Sequence, residues 1–194
     1  MSIDHVVFCV SDLERASQHL ARGYGFVSHA GGRHPGHGTA NRIVPLGESY
    51  LELVAVVDPI ETAGSLFGSW VDANATNPPR PHALCLRTDD LDGVCERLGL
   101  EPVVMSRETP DGSPLRWRLA GFEQVLTESL PFFIEWQVPD DRLPGRMEPG
   151  NDAHIDEVIV TGDPDRLQSW VADATGVTIE AGSPGIDWVG FAVA

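Results

Sequence analysis

The feature that most constrains this chain is a stretch that recurs. Ile3-Asp4-His5-Val6-Val7-Phe8-Cys9-Val10 is an apolar run with a histidine near its start. Pro81-His82-Ala83-Leu84-Cys85-Leu86 returns the pattern with His82, and Ile155-Asp156-Glu157-Val158-Ile159-Val160 returns it with glutamate where the first copy has His5. Each copy is followed by an acidic turn and a helix-like segment. Self-similarity of this kind marks an internal repeat, and the meeting of the first two copies is where function is expected.

In the first round, residues 3–10 read as a strand apolar on both faces, hence central. Ser11-Asp12 offers a helix cap, Leu13, Ala16, Leu20 and Ala21 recur at helical spacing, and Gly23 and Gly25 end the helix. Residues 26–28 read as extended, and the stretch from Gly31 to Gly38 as too rich in glycine to be regular. Residues 41–46 and 50–57 read as two strands joined by Gly47-Glu48-Ser49. A connector with a helix inside 61–74 ends in the extended Asn77-Pro78-Pro79-Arg80-Pro81.

The second round repeats the order. A strand starts at His82, and a helix capped by Thr88-Asp89-Asp90 runs through Leu98 with Leu91, Val94, Cys95 and Leu98 inward. Strands at 102–106 and 115–119 flank the turn Thr109-Pro110-Asp111-Gly112, and 132–138 closes the round. After a polar linker at 139–152, the third copy offers a strand (155–160), a helix (about 164–174) and one or two strands within 176–193. It is incomplete, which suits a capping or sheet-extending element. The expected class is α+β: a βαβββ module with its connector at 1–79, a second module at 80–138, and a linker with a partial third βαββ element at 139–194, all within one structural domain.

Composition narrows the function. There are 29 acidic residues against 13 basic ones, which argues against nucleic acid and against an anionic membrane surface. All 13 bases are arginine, so Schiff-base, pyridoxal-anchoring and phosphate-loop lysine chemistry are excluded. No apolar run approaches the roughly 18 residues of a membrane span, and the N-terminus does not read as a signal peptide. Cys9, Cys85 and Cys95 are scattered, without paired metal spacing, and fit packing in a reducing cytoplasm.

Two glutamates carry the chemical argument. Tyr50-Leu51-Glu52-Leu53-Val54 and Phe132-Phe133-Ile134-Glu135-Trp136 each hold one charge in an apolar strand, where a carboxylate is costly unless paired, hydrogen-bonded or metal-bound. Each lies in the last strand of its round, as His5 and His82 lie in the first. Folded as equivalent halves, the four can meet at one point, a set that suits a divalent transition metal with open positions for substrate oxygens. Taken singly, each histidine also reads as a satisfied core or strand-end residue, and each glutamate as a strand-face residue near solvent.

Together these residues resemble the vicinal oxygen chelate superfamily. Ile3-Asp4-His5-Val6-Val7-Phe8, the stretch Gly32-Arg33-His34-Pro35-Gly36-His37-Gly38-Thr39-Ala40-Asn41 and Tyr50-Leu51-Glu52-Leu53 look like its glyoxalase-like domain branch. The resemblance implies paired modules curling into a half-open, barrel-like sheet around a cavity. It also implies one divalent metal ion (nickel, zinc, cobalt, manganese or iron) on His5, Glu52, His82 and Glu135. Glu52 or Glu135 would then move a proton on a small oxygenated substrate, in isomerase or lyase chemistry of the glyoxalase I type. A metal-free protein that sequesters a drug or metabolite, and an iron-dependent extradiol-type dioxygenase, are the alternatives. The small-molecule partner leaves a monomer or a homodimer open.

Further substrate-binding candidates are His34 and His37 of the glycine-rich loop, Asn41, Arg42 as a carboxylate clamp, and Trp117 as a cavity wall. Solvated loop histidines, a surface ion pair for Arg42 and core packing for Trp117 are the plainer readings. No Gly-x-Ser-x-Gly elbow is present.

Overall fold

A computed structural model of the chain describes residues 1–108 and 114–193. Strand β1 (Ser2–Cys9) leads into helix α1 (Leu13–Tyr24), then β2 (His29–His34), β3 (Thr39–Leu46) and β4 (Ser49–Val56). Short α2 (Pro59–Thr62) and α3 (Leu66–Asn74) form the connector. The second round is β5 (Ala83–Arg87), α4 (Leu91–Leu98), β6 (Val103–Glu108), β7 (Pro114–Ala120), α5 (Phe122–Glu128) and β8 (Phe132–Trp136). The third part is β9 (Ala153–Gly162), α6 (Pro164–Val171), β10 (Val177–Ala181) and β11 (Gly185–Val193).

Local chemistry accounts for the boundaries. Asp12, Ser65, Asp90 and Asp163 each cap a helix by accepting a backbone N–H, which satisfies donors that the first turn leaves free. Gly25 and Gly99 end α1 and α4 in the left-handed conformation, which glycine enters without a Cβ penalty. Two readings need correction. Gly31 and Gly32 lie inside β2, where the pairing with β3 is irregular between Ala30 and Arg33, so the loop proper is only residues 35–38. Helix α5 was not expected at all, since its seven residues are too few for a period to show. The turn expected at residues 109–112 lies outside the described residues.

The first eight strands form one sheet in the order β2-β3-β4-β1-β5-β8-β7-β6, curled into a half-barrel. Strand β1 is central, parallel to β4 and antiparallel to β5, as its apolar faces predict. The outer face carries the larger core, in which Val6, Phe8, Leu53, Leu84, Leu86 and Phe133 pack against α1, α4 and the third module. The inner face buries Val7, Cys9, Val54, Ala83, Cys85, Phe132 and Ile134 against Val71 of α3 and Val125 of α5. Full burial of one such side chain is worth about 1.5–3 kcal/mol.

The third module does not extend the large sheet. Its strands form a separate sheet, β10-β9-β11, that covers the outer face through Ile155, Val158, Leu167 and Trp170. It also grips the start of β1. Thr175 donates to Met1 O through its N–H (3.0 Å) and its hydroxyl (3.1 Å), and Ser2 forms an isolated bridge to Thr175.

Candidate functional site

The site begins with an irregularity in β1. Ile3 pairs with Leu86 and His5 with Cys85, so Asp4 is an extra residue at a bulge. A bulge turns an additional side chain away from strict alternation, and both Asp4 and His5 are buried here. His5 Nδ1 lies 2.7 Å from Asp4 Oδ1, and Trp136 Nε1 donates to Asp4 Oδ2 at 2.8 Å. Because an ionised carboxylate only accepts, this assigns the ring proton of His5 to Nδ1. The ring is fixed by stacking on Tyr50 (centroids 4.5 Å apart) and by the edge of Phe132 (5.4 Å).

The other imidazole nitrogen, Nε2, faces Glu52 Oε2 at 3.6 Å. Glu52 shares the inner face with Tyr50 and Val54 by strand alternation. Asn41 Nδ2 donates to Glu52 Oε1, while Gly32 N donates to Asn41 Oδ1 at 2.7 Å. Asn41 thus ties the carboxylate to β2. A Cβ on Gly31 would run into Asn41 Oδ1, which is why this strand carries glycine. His34 Nε2 stands 3.7 Å from Glu52 Oε1, with His34 Nδ1 on Thr39 Oγ1 at 2.9 Å. Burial lowers the pKa of His34; Glu52 opposes that shift, and the charges of Arg107 and His37 add to it.

The remaining sequence candidates fall elsewhere. His37 Nδ1 hydrogen-bonds Ser65 Oγ (2.7 Å), which also accepts the Gly68 N–H, so it braces the connector beside the ring of Phe67. Trp117 lies on the inner wall, its ring 5.6 Å from that of Trp136. Arg42 is on the outer face: its Nε and Nη2 bond Ser28 and its Nη1 approaches Glu14 of α1. It ties α1 to the sheet and does not reach the site.

The structure does not bring His82 or Glu135 to the His5–Glu52 pair. Ile134 and Trp136 face inward, so Glu135 between them faces out, where it accepts from Arg118 Nη1 (2.9 Å) and from Leu91 N (3.2 Å). It caps α4 from the neighbouring strand. His82 precedes β5 and accepts Cys9 N at Nδ1 (3.2 Å), closing the end of β1 near the ring of Trp70. That bond occupies the nitrogen a metal would need, and burial lowers the pKa of His82.

Three residues beyond the candidate list complete the site. Asp4 stood in the motif but drew no role, because alternation alone would have sent it to the opposite face from His5. Tyr50 carries the ring under His5; its phenol pKa is well raised, by burial first and then by Asp4 and Glu52. Arg107 comes from the far edge strand, and nothing in the linear sequence signals its approach.

Asp4, His5 and Cys85 offer ligand atoms within 4.8 Å of one another, a spacing that can hold a metal ion. Cys85 is fully buried there, and burial, then Asp4 and Glu52, push its thiol pKa well up. His5 Nε2 and Glu52 Oε2, 3.6 Å apart, are a second pair of atoms close enough to share one ion. An imidazole oriented from behind by a carboxylate is the usual setting of a metal-bound histidine.

Paired βαβββ modules in one curled sheet define the vicinal oxygen chelate architecture. The sequence profile of the glyoxalase-like domain matches residues 3–175, and the chain belongs to that family. Among solved structures, a hypothetical protein from Staphylococcus aureus is similar with a TM-score of 0.70 at 20% identity, covering 95% of this chain and 88% of that one. A Streptomyces coelicolor methylmalonyl-CoA epimerase variant, in complex with 2-nitronate-propionyl-CoA, is similar with a TM-score of 0.50 at 18% identity over 70% of this chain and 97% of that one. No curated protein sequence matches the chain. No helix among the described residues is long and apolar enough to cross a membrane.

Proposed function

We propose that this chain is a proton-transfer enzyme of the isomerase or lyase type, acting on a small oxygenated molecule, with Glu52 as the group that carries the proton. The observation behind this is the setting of the Glu52 carboxylate, its oxygens 3.6 and 3.7 Å from the imidazoles of His5 and His34 and its side chain 16% exposed. A carboxylate fixed by Asn41 yet reached by solvent suits a general base that must meet a carbon acid. The likeness to an epimerase, an enzyme that inverts a carbon centre, agrees with that reaction type.

One divalent ion would be held by His5 Nε2 and Glu52, and when bound it would polarise a substrate carbonyl oxygen as a Lewis acid. The chain's own groups do the rest. Asp4 holds the His5 proton on Nδ1, Asn41 aims Glu52, and Trp117 and Trp136 wall the space. A second reading rests on the same 3.6 Å gap: a His5 imidazolium between Asp4 and Glu52 fills it without a metal.

The test is solvent-deuterium exchange into a panel of 2-oxo, 2-hydroxy and malonyl-type carbon acids, followed by proton NMR, with metal analysis of untagged protein. Exchange by the wild type that vanishes in Glu52→Gln supports the proposal, and its persistence in that variant sinks it. About one ion per chain, lost in His5→Ala, selects the metal-bearing form.

A further inference from the structure

The two edges of the large sheet are β2 and β6, at opposite ends of the strand order. They come together at one point: Arg107 Nη1 of β6 would stand 3.3 Å from a Cβ on Gly32 of β2. Arg107 pairs with Leu115 as Met105 pairs with Trp117, and Trp117 packs on the inner face. Arg107 therefore projects across the curl, over the same Gly32 whose N–H fixes Asn41 and through it Glu52. Its charge is felt by both neighbours: it adds to the lowering of the His34 pKa by burial and opposes the rise of the Tyr50 pKa.

Most other arginines of this acidic chain have side-chain partners, whereas Arg33, Arg80 and Arg116, like Arg107, have none among the described residues; of these four, Arg107 is the one that projects over Gly32 at the site. Arg42, Arg87, Arg118, Arg146 and Arg166 each approach a carboxylate, and Arg97 donates to the carbonyls of Ser169 and Trp170. Arg107 makes no hydrogen bond or ion pair with another described residue. A half-buried guanidinium that meets no acceptor among the described residues and faces a site can receive an anion.

Building on the proton-transfer reading, we infer that Arg107 is a substrate-binding residue and that the substrate carries a carboxylate, gripped by this guanidinium while its carbon acid lies against Glu52. The fork of a guanidinium matches the two oxygens of a carboxylate. Charge selects a monoanion over a phosphate monoester: one guanidinium neutralises one charge, and a dianion would face Glu52 and Asp4 with the second uncompensated. Gly32 serves the same end, since a side chain there would press on the guanidinium.

The test measures binding separately from turnover. Acetate, pyruvate, lactate and monomethyl malonate are titrated by calorimetry, beside methyl pyruvate, lactamide and inorganic phosphate, into wild type, Arg107→Gln, Arg107→Lys and Glu52→Gln. At least one carboxylate should bind the wild type about tenfold or more tightly than its neutral analogue. Arg107→Gln should lose that margin with an unchanged melting temperature, Arg107→Lys should keep part of it, and Glu52→Gln should still bind. The inference is overturned if no carboxylate binds the wild type, if Arg107→Gln binds the carboxylates equally well, or if phosphate binds most tightly. Binding by Glu52→Gln together with absent deuterium exchange in the wild type would sink the proton-transfer reading and leave the carboxylate clamp standing.

Discussion

Asp4→Asn is the sharpest perturbation of the site. Asp4 is 2% exposed and accepts two N–H groups, from His5 at 2.7 Å and from Trp136 at 2.8 Å. Asparagine has one acceptor oxygen, so one donor would face an NH₂ group. A lost hydrogen bond to a charged, buried acceptor costs about 1.5–3 kcal/mol. Relief of the buried charge offsets part of this, leaving a net loss of about 1–3 kcal/mol. For a chain of this size that is a fall in melting temperature of about 2–12 °C. The asparagine can recover one bond by donating to His5 Nδ1, which moves the ring proton to Nε2 and onto Glu52. Deuterium exchange should then fall about tenfold or more, because the base is engaged. Urea unfolding followed by tryptophan fluorescence gives the stability, and nitrogen-15 shifts of the His5 ring give the tautomer. Stability within about 0.3 kcal/mol of wild type, with the proton still on Nδ1, would refute the reasoning.

Other outcomes follow from the same geometry. Glu135→Gln should leave metal content and deuterium exchange at wild-type levels whereas Glu52→Gln abolishes exchange; metal analysis and proton NMR on both variants check this. Gly31→Ala should destabilise by about 1–3 kcal/mol, an overpacking cost, and slow exchange by displacing Asn41, read from urea melts and NMR. His82→Gln should flatten part of the acid side of the stability profile. Burial lowers the folded pKa of His82 below its ordinary 6.5, so the unfolded chain binds more protons in that window. Its contribution is therefore full above about pH 6.5 and lost as pH falls towards the folded value. Urea melts between pH 5 and 8 measure it.

Much of the fold was legible because the repeat is long and its strands are strongly apolar. The central place of β1, the partial third element and the inward aim of His5 and Glu52 all follow from two-residue alternation and burial cost. The same alternation places Glu135 on the outer face, beside Phe133 and between inward Ile134 and Trp136. Matching it to Glu52 by its place in the repeat overrode that parity. The bulge at Asp4 could not be read, since nothing local distinguishes an extra strand residue from a regular one. Arg107 was hidden for another reason: its neighbours are set by the curl of eight strands, a property of the whole sheet.

The grip of Thr175 on Met1 has a consequence for how the site comes into being. Whether His5 faces inward depends on the alignment of β1 with β5, and a slip of one residue would send it to the back of the sheet. The head of that strand is clamped by a threonine 174 residues downstream. Among the described residues none of 153–193 bonds to Glu52, yet this last module works as a register pin for the strand that carries the acid–histidine pair. During synthesis β1 emerges long before its pin, so a chain that stops between the two can hold every side chain of the Asp4, His5 and Glu52 cluster without holding the site itself.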